Sequence, residues 1–170
     1  MKDKICMFCG HRTGTNDFFA LEAAVTGAIL EGCTIFYSGS MGEFDMQGEK
    51  AVRRAKSDGF DLKLCTVLPY MKKSMNDPDE RERLAELYDD VIIPELPSTS
   101  RLGTKSDGYA KMSLITERNR WMVDHSARVI AVFDGGSGGT KNTIDYARRT
   151  GVPVVTIAVD PAAADGSADD

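Results

Sequence analysis

Residues 134 to 142 read DGGSGGTKN, between an apolar run and a helix-like run. Glycine backbone turns tightly and brings N–H groups close to an anion, and a helix that follows adds the positive end of its dipole. Asp134, Gly135, Gly136, Gly138, Gly139 and Thr140 are therefore candidate ligand contacts, as a cradle for phosphate or ribose. Thr140 can cap the helix or meet a phosphate oxygen, and Lys141 adds a charge. The competing account is a sharp strand-to-helix turn that needs glycine for geometry alone. The spacing is not that of a Walker A loop, and the first strand is not followed by G-x-G-x-x-G.

Three other segments carry groups of the same kind. In CGHR, Gly10, His11 and Arg12 follow an apolar run; Arg12 can fork onto a phosphate or carboxylate, and His11 can bond a sugar or base. In SGSMGEFD, Ser38, Gly39, Ser40 and Gly42 precede Asp45, which can accept ribose hydroxyls, act as a base, or simply complement a helix start. In ERNRWMVDHS, Arg118 and Met122 share one side of a helix and Arg120 and Asp124 another. An Arg120–Asp124 surface pair, His125 as a partner of the helix C-terminus and Trp121 as core packing are the plain expectations there.

These groups need elements to hold them. An apolar strand from Lys4 to Cys9 leads to a helix capped by Asp17 and reaching about Glu31, with Phe18, Leu21, Ala24, Val25, Ala28 and Ile29 on one side. CTIFY, broken at Ser38 to Gly42, and LKLCTVLPY are the second and third strands, separated by a helix that stops at Gly59. Asp77 and Pro78 open the next helix, VIIPELP is a short fourth strand, and STSRLGTKSDGYA reads as a surface loop. A long helix with Met112, Ile115, Met122 and Val123 at near-helical spacing, and Leu114 and Trp121 on a neighbouring face, precedes RVIAVFD; a helix stopping at Gly151 and the strand VPVVTIAV follow.

Alternating strands and amphipathic helices imply right-handed crossovers, hence a Rossmann-like three-layer α/β/α sandwich with a mostly parallel sheet. One domain is expected over residues 1–160, with 161–170 as a frayed acidic tail. In such sheets ligands bind beyond the carboxyl ends of the strands, which gathers GHRTG, SGSMGEFD, LPYM (with Pro69 and Tyr70), the loop after VIIP and DGGSGGTKN on one rim.

Of 170 residues, 21 are Lys or Arg and 26 Asp or Glu, a formal charge of -5. That balance argues against a nucleic-acid grip by overall charge, leaving a local basic pocket as an exception. No apolar window reaches the length of a membrane span and the N-terminus lacks a signal-peptide layout, so a cytoplasmic protein with no membrane partner is expected. Cys6, Cys9, Cys33 and Cys65 sit in or beside apolar runs, as reduced structural thiols do. Cys6 and Cys9 form C-x-x-C, but with His11 they make an incomplete ligand set; no metal and no cofactor are expected.

Taken in order, CGHR (9–12), SGSMGEFD (38–45), LPY (68–70), RNRWMVDHSARVIAVFDG (118–135) and GGTKNTIDYAR (138–148) resemble the SLOG superfamily. That Rossmann-like group includes the DprA fold and LOG-type phosphoribohydrolases, and the resemblance is to its small bacterial and phage branch of YpsA-like proteins. It implies a pocket for a nucleotide or nucleotide-derived ligand, ADP-ribose-like, used for sensing or sequestering in stress or phage conflict. It further implies site residues Gly10, His11, Arg12, Ser38, Gly39, Ser40, Gly42, Asp45, Pro69, Tyr70, Arg118, Asn119, Asp134, Gly135, Gly136, Gly138, Gly139 and Thr140, and a homo-oligomer. The LOG-type enzymes resemble PGGxGT followed by a glutamate two residues on; here Lys141 and Asn142 stand instead, with no leading proline. Binding is thus favoured over N-glycoside cleavage, for which Asp45 and Glu43 are weak candidates and Asp145 a remoter one.

Overall fold

The computed structural model describes residues 1–10, 17–133, 135 and 138–158. Among these, the strands are β1 (Ile5–Cys9), β2 (Ile35–Ser38), β3 (Lys63–Val67), β4 (Asp90–Ile92), β5 (Arg128–Val132) and β6 (Val154–Ile157). The α-helices are α1 (Phe18–Leu30), α2 (Glu43–Ser57), α3 (Pro78–Leu87), α4 (Asp107–Asp124) and α5 (Gly139–Arg149). Every strand pairing is parallel, in the order β4-β3-β2-β1-β5-β6. The chain therefore steps outward from β1 to β4, then returns to the other side of β1. The gap between the carboxyl ends of β1 and β5 is the switch point where such sheets open a crevice.

Local chemistry explains where the elements begin and end. Asp17 accepts from the N–H groups of Phe19 and Ala20 at 3.0 and 3.2 Å, and Asp77 from that of Asp79 at 2.9 Å with Pro78 in the first helical position. Gly59 and Gly151 follow α2 and α5 in left-handed conformations, as expected of helix stops. The long polar segment before α4 holds a 3-10 turn at Thr99–Arg101 and is fastened by Glu117, which accepts from the Ser98 N–H (3.0 Å) and hydroxyl (2.6 Å).

The side chains of β1 alternate between two cores. Cys6 and Phe8 face one, with Leu21, Val25, Phe36, Phe44, Val52 and Ile130. Met7 and Cys9 face the other, with Tyr37, Val67, Met122, Val129, Ala131 and Ile144. Cys6 and Cys9 thus lie on opposite faces of the sheet and cannot converge on one metal ion. All four cysteines are buried free thiols.

Helix α4 departs from its expected pattern. Met112 is exposed, and the buried row is Ala110, Leu114, Arg118 and Met122, in steps of four, with Val123 beside it. An arginine occupies the middle of an apolar stripe. Trp121 packs between Tyr37 and His125, with ring centroids 5.9 and 4.0 Å away, and His125 Nδ1 lies 2.7 Å from the Trp121 carbonyl oxygen. Tyr146 engages both members of the expected Arg120–Asp124 pair: its hydroxyl donates to Asp124 at 2.8 Å and its ring lies under the Arg120 guanidinium.

Candidate functional site

A cavity of about 350 Å³ opens at the switch point. Its floor is Cys9 and Gly10 at the end of β1; its walls are Gly39, Met41 and Asp45 on the β2 side, Ile115, Arg118 and Asn119 of α4, and Gly139, Thr140 and Thr143 of α5. The volume falls in the range of small-molecule pockets.

Two helices start at its edge on glycine. The N-caps of α2 and α5 are Gly42 and Gly138, and neither start has a side-chain cap, unlike α1 and α3 with their aspartates. Gly138 has φ of +120°, which a side chain rarely tolerates. The two starts differ in charge. The first turn of α2 carries Glu43 and Asp45; that of α5 carries no acid. Backbone N–H groups at a neutral helix start such as that of α5 favour an anion, whereas a carboxylate at the start of α2 repels one and accepts hydroxyls.

Arg118 is 2% exposed and organises the wall between these starts. Its Nη1 donates to the carbonyls of Gly39 (3.0 Å) and Val67 (2.7 Å), and its Nε donates to Asn119 Oδ1 at 2.9 Å. The guanidinium thereby ties the ends of β2 and β3 to α4. Behind the same turn, Glu49 is 4% exposed and accepts from the hydroxyls of Ser38 (2.7 Å), Ser40 (2.8 Å) and Tyr88 (2.9 Å). These bonds hold Ser40 at φ of +52°, a left-handed conformation unusual outside glycine.

Asp45 is half-buried at the wall, and its Oδ2 accepts the Met41 N–H at 3.1 Å. Burial pushes its carboxyl up to about 6; the Met41 bond and Arg118 pull it down, and Glu49 adds a small upward push. The charged form is thus disfavoured in the fold relative to the ordinary value of 3.8. This cost is absent below the unfolded pKa and complete above the folded one, so Asp45 lowers stability as pH rises from about 4 to 6, by up to about 3 kcal/mol. Asp45→Asn should remove it: urea denaturation at pH 4.5 and 7.5 should show the variant gaining on the native protein at the higher pH, and equal differences at both pH values would refute the assignment. Burial also pushes the Cys9 thiol up to about 12, which leaves it neutral and a poor nucleophile.

The structure brings together Gly10, Gly39, Asp45, Arg118, Asn119, Gly139 and Thr140 of the residues singled out from the sequence. Gly42 and Gly138 cap the two helices, and Gly135 lies before α5 with φ of +90°. Ser38 and Ser40 turn their hydroxyls away from the cavity, toward Glu49. Pro69 is buried after β3, and Tyr70 stands apart with Lys111 over its ring. Glu43 is exposed, and Lys141 and Asp145 pair with each other at 2.5 Å on the outer side of α5. His11, Arg12, Asp134 and Gly136 lie outside the described residues.

Sequence reasoning missed Met41, Ile115 and Thr143 on the wall and Glu49 behind it. Glu49 left one signal: it sits beside Gly48, Ala51 and Val52 on the buried face of α2, where a carboxylate must find donors.

The architecture has solved counterparts. DNA processing protein A (DprA) from Streptococcus pneumoniae superposes with a TM-score of 0.63 over 91% of this chain and 50% of its own, at 17% identity. The fold is DprA-like. DprA from Helicobacter pylori, described for its single-stranded DNA binding mode, gives 0.55 over 91% of this chain and 65% of its own, at 13% identity. A molybdenum cofactor binding protein from Rippkaea orientalis gives 0.55 over 99% and 85%, at 21% identity. In sequence, the uncharacterized SPbeta prophage-derived protein YoqJ of Bacillus subtilis (strain 168) is 30% identical over 69 residues, 41% of this chain and 40% of that protein. The chain thus aligns with less than half of YoqJ and covers half of the pneumococcal DprA. No family model matches. Among the described residues no helix is long and apolar enough to cross a membrane.

Proposed function

We propose that the switch-point cavity binds a nucleotide or nucleotide-derived ligand of the ADP-ribose type, and that the protein is a sensor or sequestering member of the SLOG superfamily, in its YpsA-like branch. The observation that carries this reading is the pair of glycine-started helices around one cavity, one acidic and one not. A phosphate suits the α5 start and the Gly138–Gly139 backbone; ribose hydroxyls suit Asp45. Arg118 is committed to main-chain carbonyls, so its part is to hold the wall in shape. His11, Arg12, Asp134 and Gly136 complete the proposed contacts.

A second reading, cleavage of an N-glycosidic bond, draws on Asp45 alone: a wall carboxyl that holds its proton to about pH 6 is suited to general-acid work. Binding is preferred because the other carboxylates considered, Glu43 and Asp145, stand outside the cavity.

Thermal unfolding with ADP-ribose, NAD and nucleoside monophosphates, followed by mass spectrometry of the recovered ligand, tests both readings. A ligand at a hundred times its Kd stabilises the native state by about 2.7 kcal/mol. A raised melting point with the ligand intact is the expected result, and release of free base would favour the second reading. No shift with any of these compounds, alongside salt-sensitive retention on single-stranded DNA, would replace both with a nucleic-acid role.

A further inference from the structure

A second cavity, also of about 350 Å³, lies on the other side of the β2–α2 turn, between α2, α3 and the segment after β3. Its floor is the hydroxyl cluster of Ser40, Thr66 and Tyr88 around Glu49. Leu68, Met75 and Leu84 form an apolar side, and Met46 and Leu87, 66% and 36% exposed, stand at its mouth. Large apolar side chains left in water around a concave space are what a ligand's apolar body would cover, and methionine adapts to its shape.

The charge at this cavity runs against the chain's overall excess of acid. Arg53 of α2, Lys72 after β3 and Arg83 of α3 come from three elements to its wall. Glu80 is the carboxylate at the rim, paired with Arg83 at 2.7 and 2.8 Å. The charge of Glu49 is engaged at the floor by three hydroxyls and, at 3.5 Å, by Arg53. Three cations thus face two acids beside an apolar wall: Arg83 is held by Glu80, Arg53 by Glu49 and the Leu87 carbonyl (3.1 Å), and exposed Lys72 carries the charge in excess.

We infer that the cavity between α2 and α3 is a second small-molecule site, which takes an acidic ligand with an apolar body: a carboxylate or phosphate at Lys72 and Arg53, and a hydrocarbon or aromatic part against Met46, Met75, Leu84 and Leu87. It is separate from the switch-point cavity and stands whatever that cavity binds. The two share one turn. Ser40 lines the second cavity while its neighbours Gly39 and Met41 line the first, so a ligand touching Ser40 reaches the wall of the other site through one residue.

The test is titration of the ¹⁵N-labelled protein with phenyl phosphate and, separately, 3-phenylpropionate, read by amide chemical shifts. Saturable shifts at Ser40, Arg53, Met75 and Tyr88 are expected with at least one probe, and the tighter probe names the acid group. Lys72 is exposed, so Lys72→Glu keeps the fold and should weaken that binding about tenfold by removing one charge-assisted contact and adding repulsion. Ser74→Trp, at another exposed position on the wall, should block it sterically. Shifts confined to Gly10, Gly39, Gly139 and Thr143, no saturation below roughly 10 mM with either probe, or unaltered affinity in Lys72→Glu would each overturn the inference. Because the shifts map each cavity separately, failure here leaves the nucleotide reading intact, and the reverse also holds.

Discussion

Arg118→Met should lower the unfolding free energy by about 3–5 kcal/mol and abolish ligand-induced stabilisation at the switch-point cavity. The guanidinium is 2% exposed and bridges the carbonyls of Gly39 and Val67. Methionine matches the apolar neighbours Leu114 and Met122 along the helix, but it leaves those acceptors without their charged donor. Arg118→Lys keeps the charge on a single point donor that cannot reproduce the planar fork, so an intermediate loss is expected. Urea denaturation gives the free energies, and thermal shifts with ADP-ribose, NAD and nucleoside monophosphates measure the loss of the proposed binding. A cost for Arg118→Met below about 1 kcal/mol would show that the arginine is not the tie the geometry describes.

Gly10→Ala should be nearly as damaging, by about 2–4 kcal/mol, for a steric reason. A Cβ built at Gly10 would sit 2.4 Å from Cδ1 and 2.7 Å from Cβ of Phe44. Phe44 is fully buried in the first turn of α2 and meets Phe8 edge-on, with centroids 6.3 Å apart. The contact reaches the Phe44 Cβ, so no rotation of the ring relieves it; the start of α2 must move away from β1, taking Asp45 with it. A double-mutant cycle with Phe44→Gly, which removes the Cβ as well as the ring, isolates the clash. The two changes together should cost less than the sum of their separate costs by more than about 1 kcal/mol, and simple additivity would place the damage elsewhere.

Much of the fold was legible in local chemistry. Asp17, the Asp77–Pro78 pair, Gly59 and Gly151 mark helix starts and stops because each satisfies or relieves backbone groups within a few residues of itself. The near-continuous apolar runs of β1, β3 and β5 announce strands covered on both faces, and the sheet is wholly parallel. Helix α4 was the exception in detail. Its apolar spacing grouped Met112 with Ile115, Met122 and Val123, yet Met112 is exposed and the buried row is Ala110, Leu114, Arg118 and Met122. Hydrophobicity weights cannot place an arginine in the interior, because the carbonyls that make it stable there belong to β2 and β3 ends far away in sequence.

The site was legible as a rim and not as a cavity. The glycine segments and Asp45 could be assigned to the carboxyl ends of the strands from alternation, since right-handed crossovers bring those breaks to one side, whereas Arg118 and Asn119 lie within a helix and were implied by the resemblance. The directions of Ser38 and Ser40 could not, because they depend on Glu49 and Tyr88 supplying partners on the opposite side of the turn. Lys141 and Asp145 are four residues apart on α5, so each was within reach of the other from the start.

The sequence by itself determined the elements, their caps and the class of architecture, since these rest on patterns no longer than one helix. Strand order decided the rest. Placing β5 beside β1 opened one cavity between α2, α4 and α5, and the packing of α3 against the other side of the same turn opened a second. Those are contacts between segments tens of residues apart, set by how whole faces of the sheet are covered, and periodicity along a single chain carries no record of them.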